Sequence, residues 1–304
     1  MTSNFKLFIL IMNKIKENID ITNLSNFKTK AKTKYYYEIN NEQDLLNLKE
    51  VFKFAKDNTL KTLFIWWWTN ILFAFDYYEW IIIKNNLLWW SYNKTNKILD
   101  TFSNELISNI SESLNKDYWQ HIFDRFIWLP WTIWWAIYWN AWCFWLEISN
   151  NLREVKVLDL SNFETKLLTK SDLNFSYRSS LLKEEKKYFI ISAKFDLSYI
   201  EEKYPLWDVD IYDFRQIKQP KWNTCWSFFK NPSREFSAWF LVEKVWLKWY
   251  NRNWAYFSNK HSNFLMNDWT ASYKDLLELI KIAQDKIYKE YKIKIIPEVN
   301  IIYN

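Results

Sequence analysis

The sequence predicts an α+β protein of more than one unit. Two segments have the polar cap and apolar spacing of amphipathic helices, one beginning near Asn40 and one at Ser272. Short runs rich in β-branched and aromatic residues, including residues 80–85 and 188–197, are typical of strands. A polar connector at residues 205–220 indicates a boundary, and a chain of 304 residues is long enough for two or three small domains.

The first 80 residues predict strands on either side of a helix. Residues 24–39, LSNFKTKAKTKYYYEI, predict a turn, an edge strand with alternating lysines and an aromatic strand. The helix from Asn40 has early acidic residues and apolar residues at helical spacing. A buried strand at residues 61–65 then runs directly into Trp-Trp-Trp-Thr-Asn at residues 66–70.

Residues 80–204 predict a second unit that is rich in sheet. Its elements are a strand at residues 80–85, a helix at 102–114, an unusual Trp-rich stretch at 126–145, a strand at 153–160, a loop at 172–180 and a strand at 188–197. Beyond the connector, the predicted elements are a helix at 238–248, a short hairpin, a long helix capped by Ser272 and a terminal strand at 296–303.

Charge, cysteines and histidines narrow the functional class. A net charge of +6 with interspersed acidic residues fits a small anionic ligand better than nucleic acid. Two cysteines, Cys143 and Cys225, cannot form a disulfide framework and indicate a reducing compartment. The two histidines, His121 and His261, are too far apart in sequence to suggest a zinc site, so we expect no bound metal.

The N-terminal residues do not have the pattern of a membrane segment. Residues 7–12, LFILIM, form an apolar run that is too short to span a bilayer and lacks a small-residue cleavage site. We expect residues 1–19 to be an N-terminal extension, with Met12 as an alternative start. We also expect a cytoplasmic monomer with neither a membrane nor a nucleic-acid partner.

Glycine is absent from the sequence, whereas Trp occurs 22 times. About 7% of the residues of an average globular chain are Gly, so roughly 21 would be expected here. A fold with tight turns needs the residue that reaches positive φ without steric cost. We therefore hypothesise that Trp in the printed sequence stands mostly or wholly for Gly. Such an exchange arises when the organism reads UGA as Gly, a reassignment known in some bacterial lineages.

Two Trp-rich stretches become phosphate-binding loops when Gly is read in place of Trp. Residues 65–70 become IGGGTN at the end of a strand, and residues 127–142 become IGLPGTIGGAIYGNAG. Consecutive backbone N–H groups in such turns form a concave anion site, and the missing side chains let a pyrophosphate approach the backbone. An ordinary corner between strands would also fit the first loop, but three adjacent glycines followed by Thr-Asn favour a ligand site.

Read in this way, the chain resembles the UDP-N-acetylenolpyruvoylglucosamine reductase (MurB) family from about residue 20 onward. The family's motifs occur in order: IGGGTN at 65–70, the Gly-rich run at 127–142, YRSS at 177–180, GSFFKNP at 226–232, AGFLVEKVGLKG at 238–249, SNKHSNF at 258–264 and PEV at 297–299. Seven ordered motifs are far more specific than one Gly-rich loop.

The resemblance implies a fold, an activity, FAD as cofactor and NADPH as co-substrate. The fold is a two-part FAD-binding region of the vanillyl-alcohol-oxidase/PCMH type followed by a C-terminal α+β substrate-binding domain. We expect the FAD-binding subdomains at residues 20–79 and 80–204 and the substrate-binding domain at 205–304, with the last strand packing back on the first subdomain. The activity is the NADPH-dependent reduction, through FAD, of UDP-N-acetylglucosamine enolpyruvate to UDP-N-acetylmuramate in peptidoglycan precursor synthesis.

The resemblance also implies the site residues. The cofactor-binding residues expected in the two Gly-rich loops are Trp66, Trp67, Trp68, Thr69, Asn70, Trp131, Thr132, Trp134, Trp135, Asn140 and Ala141. Arg178 and Glu298 match the family's pair that holds the substrate carboxylate and enolate, and Ser227 matches its proton donor. The residues expected to bind the UDP-sugar substrate are Tyr177, Lys230 and Asn231.

Without the resemblance to the family, ordinary structural roles would also suit these residues. Taken alone, Arg178 would be interpreted as a surface arginine, Glu298 as a solvated residue before a strand and Ser227 as a helix cap. The chain departs from the family at residues 28–34, where KTKAKTK replaces a usual Gly-Gly pair at one edge of the FAD site. The short spacing between Tyr177 and Ser227 indicates the compact second type of this family.

Two other functions stay open. Another flavin oxidoreductase of the same superfamily, such as an alcohol or sugar oxidase, would keep the Gly-rich loops but not GSFFKNP or the terminal PEV. If Trp is literal, the chain would instead be a Trp-rich protein that binds carbohydrate or a membrane interface. That alternative predicts Trp on ordered faces, whereas the Trp residues cluster at predicted turns and beside Pro.

Overall fold

The computed structural model describes residues 11–66, 70–198, 220, 223–233 and 235–304. Contacts within the described chain separate two compact units. The first contains residues 11–14, Glu38–Asn58 and the chain from Ile83 to residue 198. The second contains Ile15–Tyr37, Thr59–Ile82 and the described residues from 220 onward. Nearly all of the connector expected at residues 205–220 lies outside the described residues.

Short strands outnumber helices in the described chain. The strands are β1 Lys16–Asp20, β2 Lys32–Ile39, β3 Thr62–Ile65, β4 Ile71–Phe73, β5 Tyr77–Asn85, β6 Trp90–Asn93, β7 Ile98–Phe102, β8 Trp142–Cys143, β9 Leu146–Glu147, β10 Leu152–Asp159, β11 Glu164–Thr169, β12 Tyr188–Asp196, β13 Asn251–Arg252, β14 Ala255–Phe257, β15 Leu265–Asn267 and β16 Asn300–Ile302. The α-helices are α1 Glu42–Leu46, α2 Leu48–Asp57, α3 Ile107–Tyr118, α4 Ile133–Tyr138, α5 Ile148–Asn151, α6 Leu181–Glu185, α7 Ala238–Lys244 and α8 Tyr273–Tyr291, and 3₁₀ turns lie at Thr22–Leu24 and Ile122–Phe126.

An antiparallel five-stranded sheet organises the first unit, in the order β11-β10-β12-β7-β6. Apolar residues of its central strands, among them Val155 and Ile190, share one buried core with α3 and α4. Ile110 of α3, Phe126 of the 3₁₀ turn and Ile137 of α4 are fully buried in that core. The Trp-rich stretch at residues 126–145 is therefore fixed to the sheet through its apolar residues.

The second unit is built from small sheets and two helices. Its strands are ordered β1-β2-β5-β3 in one sheet and β13-β14-β15 in another, and β16 pairs in parallel with β4. Helices α7 and α8 contribute to a core that contains Phe228, Phe229 and Phe257. The β16–β4 pairing places Asn300 opposite Ile71. The strand that follows the 66–70 loop therefore lies beside the segment after Glu298.

Both amphipathic helices predicted from their caps are confirmed. The Ser272 hydroxyl accepts the N–H of Asp275 while the Asp275 carboxylate accepts the N–H of Ser272, which forms a capping box at the start of α8. Asn41, one residue after the predicted cap, accepts the N–H of Asp44 at the start of α1. The first predicted helix is divided at Asn47 into α1 and α2.

The predicted edge strand with alternating lysines is wrong. Residues 28–31 do not form a strand, and β2 is a single strand that lies between β1 and β5. The residues between these lysines, Ala31 and Thr33, are buried, so the alternation marks a strand with one face in the core. Strand β11 was not predicted, because it lies at a sheet edge and none of its side chains is buried.

Candidate functional site

The Trp-rich stretch at residues 126–145 folds around the short helix α4. Thr132 caps this helix, because its Oγ1 accepts the N–H of Trp135 at 3.1 Å. An isolated antiparallel bridge joins Thr132 to Leu106. The expected residue Thr132 is therefore buried at the start of α4 and is already engaged in holding the helix.

Residues 103–107 anchor the start of α4. The N–H of Ile133 donates to the carbonyl of Glu105 at 2.9 Å, and the N–H of Trp134 donates to the carbonyl of Ser103 at 2.7 Å. Burial raises the pKa of the Glu105 carboxyl. These backbone bonds explain why α3 begins at Ile107 rather than at residue 102. They also engage two amides of the loop in which we expected pyrophosphate contacts.

Indole rings occupy the space at the start of α4. Trp131 and Trp135 stack with ring centroids 4.5 Å apart, and Trp134 stacks on Tyr138 at 4.8 Å. A pyrophosphate approaches such a loop only where no side chain covers the backbone. The printed residues therefore do not fit FAD at this loop, whereas Gly at these three Trp positions would remove the rings.

The loop at residues 66–70 is described only at its two ends. Trp66 is buried at the end of β3, and residues 67–69 lie outside the described chain. The Asn70 carbonyl accepts the N–H of Asn300 at 2.9 Å. The buried Oδ1 of Asn70 has no hydrogen-bond partner among the described residues. A buried acceptor of this kind is suited to a donor on a ligand.

Asn140 is the best-anchored of the expected cofactor residues. It is 1% exposed and has a φ of 43°, in the left-handed region that Asn tolerates. Its Nδ2 donates to Glu147 Oε2 at 3.0 Å and to the carbonyl of Ser176 at 3.2 Å. Its Oδ1 has no hydrogen-bond partner within the described chain. The neighbouring Ala141 is fully buried, and its N–H donates to Ala136.

Arg178 lies in a tight turn between Ser176 and Ser179, which exchange two backbone hydrogen bonds of 3.1 Å. Its φ is 55°, a left-handed value that is uncommon for a long side chain. Its guanidinium lies 5.9 Å from the centroid of the exposed Tyr177 ring. Its Nη1 is buried and has no hydrogen-bond partner within the described residues. A charged donor without a partner is suited to an anionic ligand.

The Arg178 turn and the α4 stretch are tied together within the first unit. Ser180 is fully buried, and its Oγ donates to the carbonyl of Tyr138 at 2.9 Å. The bond from Asn140 to Ser176 forms the second tie. The structure therefore groups the expected cofactor residue Asn140 and the expected catalytic residue Arg178 on one connected set of loops.

Ser227 and Glu298 lie on neighbouring extended segments of the second unit. Ser227 forms a bridge with Phe264 on one side. On the other side, the N–H of Glu298 donates to the carbonyl of Phe228 at 2.7 Å. Both Ser227 and Glu298 are half-buried. The fold thus brings together two expected catalytic residues that are separated by 70 positions of sequence.

Asn263 holds the segment that carries Ser227, and sequence reasoning did not single it out. It is buried, its Oδ1 accepts the N–H of Phe229 and its Nδ2 donates to the carbonyl of Phe229, both at 2.9 Å. Its own carbonyl accepts the N–H of Phe228 at 2.7 Å. Asn263 thus fixes the segment that carries Ser227. Its place in the SNKHSNF motif was the signal in the sequence.

Lys230 and Asn231 lie at the exposed end of the Ser227 segment. The N–H of Lys230 donates to the carbonyl of Ile296 at 2.9 Å. The Oδ1 of Asn231 accepts the N–H of Ala238 at the start of α7, at 2.9 Å. The oxygen of Asn231 is therefore engaged in the fold, whereas the side chains of both residues remain exposed.

The expected site residues are distributed over both units. Those described in the first unit are Trp131, Thr132, Trp134, Trp135, Asn140, Ala141, Tyr177 and Arg178. Those described in the second unit are Trp66, Asn70, Ser227, Lys230, Asn231 and Glu298. Among the residues that the structure describes, no group of three His, Cys, Asp or Glu side chains could hold a metal ion. None of the described helices is long and apolar enough to cross a membrane.

Comparisons with known proteins agree with one another. Residues 218–302 match the family model described as UDP-N-acetylenolpyruvoylglucosamine reductase, C-terminal domain. The chain is 25% identical over 285 residues to the UDP-N-acetylenolpyruvoylglucosamine reductase of Francisella tularensis, which covers 92% of this chain and 98% of that protein. It is 35% identical over 176 residues to the reductase of Bacillus pumilus, which covers 57% of each chain.

The fold is similar to the crystal structure of UDP-N-acetylenolpyruvylglucosamine reductase from Thermus caldophilus. The TM-score is 0.73 at 17% sequence identity, over 94% of this chain and 99% of that one. The α+β fold expected from the sequence, with an FAD-binding region of the PCMH type and a C-terminal domain, is therefore confirmed. The family model, the relatives and the fold are all similar to UDP-N-acetylenolpyruvoylglucosamine reductases.

Proposed function

We propose that the protein reduces UDP-N-acetylglucosamine enolpyruvate to UDP-N-acetylmuramate, with FAD as cofactor and NADPH as co-substrate. The observation that carries this proposal is the pairing of the Ser227 and Glu298 segments in the second unit, on residues that match the family's catalytic motifs. The same proposal makes the protein a cytoplasmic monomer that supplies a precursor of peptidoglycan.

Reduction of the enolpyruvyl double bond requires a hydride, an anion site and a proton. FAD, when bound, supplies the hydride that it receives from NADPH. As the hydride adds to the carbon distal to the carboxylate, negative charge spreads into the carboxylate as an enolate. The role of Arg178 and Glu298 is to hold this group. The Nη1 of Arg178, which has no hydrogen-bond partner in the described part of the chain, supplies a charged donor for it.

Ser227 delivers the proton that completes the reduction. A serine hydroxyl is a weak acid, so its contribution depends on its position relative to the enolate carbon. The bridge to Phe264 and the bond between Phe228 and Glu298 fix the backbone on both sides of Ser227. Lys230 and Asn231, at the exposed end of the same segment, are suited to the diphosphate and sugar. Tyr177, which is exposed in the first unit, is the other residue that we propose to bind the substrate.

Enzyme assays of the purified protein test this function. We expect the protein to carry FAD, and to oxidise NADPH faster when the enolpyruvyl substrate is present. Turnover of a simple alcohol or sugar with oxygen, without turnover of the enolpyruvyl substrate, would assign the chain to another branch of the flavin oxidoreductases.

We also propose that Trp in the printed sequence stands for Gly, and the backbone supports this. Among the described residues, 21 non-glycine residues have positive φ, and Trp accounts for eight of them against five for Asn. At positive φ, Asn is normally the most frequent residue after Gly, and bulky residues are outliers. The eight are Trp119, Trp128, Trp145, Trp226, Trp246, Trp249, Trp254 and Trp269.

Particular positions require glycine for identifiable reasons. Trp119 ends α3 in the left-handed conformation that favours Gly, and its side chain is 83% exposed. Phe144 and Trp145, with φ of 43° and 68°, form the two-residue turn between β8 and β9. Such a turn needs positive φ at both central residues and favours Gly at the second. Neither burial nor backbone preference accounts for an indole at these sites.

Peptide mass spectra of the protein from its own host test the exchange. We expect Gly at the eight positive-φ positions and at residues 66–68, 131, 134 and 135. Spectra that show Trp at these positions in a folded, FAD-containing protein would reject the exchange while leaving the proposed activity standing.

A further inference from the structure

The turn that contains Arg178 is strained, so contacts near the turn must hold Arg178 in its left-handed conformation. A non-glycine residue in the left-handed region is strained and persists where surrounding contacts fix it. Arg178 has a φ of 55°, and its turn is closed by the two backbone bonds between Ser176 and Ser179. Tyr177, the other central residue of the turn, is 81% exposed and gives little packing.

Lys183 reaches the turn from helix α6. Its Nζ donates to the carbonyl of Arg178 at 2.7 Å, a charge-assisted hydrogen bond. The helix itself is firmly placed, because Leu182 is fully buried and Ser180, at its N-terminal end, donates to the carbonyl of Tyr138. The ammonium therefore acts from a fixed position on the peptide group that follows the strained residue.

We propose that Lys183 is a positioning residue for Arg178. Its bond to the Arg178 carbonyl holds the turn in its left-handed form. This form keeps the Nη1 of Arg178, which has no hydrogen-bond partner among the described residues, buried and available to an anion. This proposal rests on the proposed function for the identity of that anion, the carboxylate of the enolpyruvyl substrate. The predicted effect of Lys183 on the conformation of the Arg178 turn rests only on the geometry of the first unit.

The contact between Lys183 and Trp139 does not account for this arrangement. The Nζ lies 3.9 Å from the centroid of the Trp139 ring. If residue 139 is Gly in the biological protein, that contact is absent, and the bond to the Arg178 carbonyl remains. The protein with Gly at the 22 Trp positions is therefore the host for the test.

Three substitutions on α6 and at its end distinguish a role of Lys183 in positioning Arg178 from a role only in the stability of the fold. Lys183→Met removes the donor and keeps the aliphatic stem, and Lys183→Arg restores a charged donor. Lys186→Met is the matched control, because Lys186 is exposed at the end of the same helix. The first measurement is the rate of tryptic cleavage after Arg178 in the folded protein. The second is the affinity for the enolpyruvyl substrate, compared with the rate of FAD reduction by NADPH.

We expect Lys183→Met to increase cleavage after Arg178 and to weaken substrate affinity about tenfold or more, because a hydrogen bond to a charged group is lost. FAD reduction by NADPH should change less than about twofold by the same reasoning, since that step does not use Arg178. Lys183→Arg should recover most of both losses, and Lys186→Met should match the parent protein.

Cleavage and affinity that are unchanged in Lys183→Met would overturn the proposal. Equal loss in both half-reactions, with a lower free energy of unfolding, would also overturn it and make Lys183 merely structural. If the parent protein does not turn over the enolpyruvyl substrate, but Lys183→Met still increases cleavage after Arg178, then the proposed function fails and the positioning of the turn stands.

Discussion

Ser227 is held on a segment that has a neighbour on each side, and its proposed role makes a sharp kinetic prediction. Substituting Ser227→Ala in the protein with Gly at the Trp positions should leave reduction of FAD by NADPH nearly intact. Reoxidation by the enolpyruvyl substrate should slow by orders of magnitude, because only that half-reaction needs the proton. Stopped-flow measurement of the two half-reactions tests this.

Ser233→Ala provides the matched control for Ser227, because Ser233 is exposed on the same chain segment. Glu298→Gln and Arg178→Ala should also mainly lower the rate of FAD reoxidation by the enolpyruvyl substrate, since the enolate exists only in that half-reaction. Equal loss of both half-reactions in Ser227→Ala would show that the hydroxyl is structural.

Lys84 gives the protein a pH-dependent stability. It is 5% exposed, and burial lowers its pKa to about 7, partly opposed by the charge of Glu38. The unfolded chain holds this proton up to a pH of about 10.4, so between pH 7 and 10 it binds more protons than the folded chain. Stability should therefore rise with pH over this range, by an amount on the order of a few kcal/mol.

Substituting Lys84→Met should remove this dependence and stabilise the protein near pH 7. Urea unfolding at pH 7, 8 and 9 measures the effect, with the exposed Lys94→Met as control. A rise in stability with pH that is as steep in Lys84→Met as in the control would show that the pH dependence does not come from Lys84.

At the scale of single elements, we predict that Trp lowers stability most at turns and helix ends, where φ is positive. Trp246 follows α7 with a φ of 60° and is 86% exposed, whereas Trp90 lies in the extended strand β6. In the protein with Gly at the Trp positions, returning Trp at 246 alone should lower the free energy of unfolding by about 1–2 kcal/mol.

Returning Trp at 90 is the matched control, because an aromatic residue suits an edge strand. It should change stability by less than about 0.5 kcal/mol or increase it. Equal effects at the two positions, measured by urea unfolding, would mean that the cost of Trp is not a matter of backbone conformation.

Elements with local signals were predictable, and those set by tertiary contacts were not. Ser272 and Asp275 determine the start of α8 through their own hydrogen bonds, so the sequence sufficed. The interior position of β2 depends on its neighbours β1 and β5, which the lysine pattern does not reveal. Ser227 and Glu298 were identified through family motifs. The role of Asn263 depends on an approach to Phe229 that only the fold shows.

At the scale of the whole molecule, the printed and glycine-containing chains should behave differently. Each Trp in the left-handed region costs about 1–3 kcal/mol, and the net stability of a domain is only about 5–15 kcal/mol. Eight such positions would exhaust it. We expect the chain expressed with Trp to be insoluble or free of FAD, and the same gene encoding Gly at all 22 positions to fold and bind FAD.

Expression of both genes in one host, followed by absorbance of bound FAD and peptide mass spectrometry, compares the two directly. A soluble, active protein whose spectra show Trp at 66–68 and 134–135 would end the recoding hypothesis. The expected contrast does not depend on which of the flavin activities the protein has.

The parallel pairing of β16 with β4 also sets the order of events on the ribosome. Residues 71–73 leave the ribosome long before residues 300–302, with which they pair. At about 5–20 residues per second, the earlier strand waits roughly 10–50 seconds for its partner. During that interval one edge of β4 and the carbonyl of Asn70 are exposed to other nascent chains and to chaperones. The second unit is therefore completed only late in translation, whereas the five-stranded sheet of the first unit is fully synthesised well before.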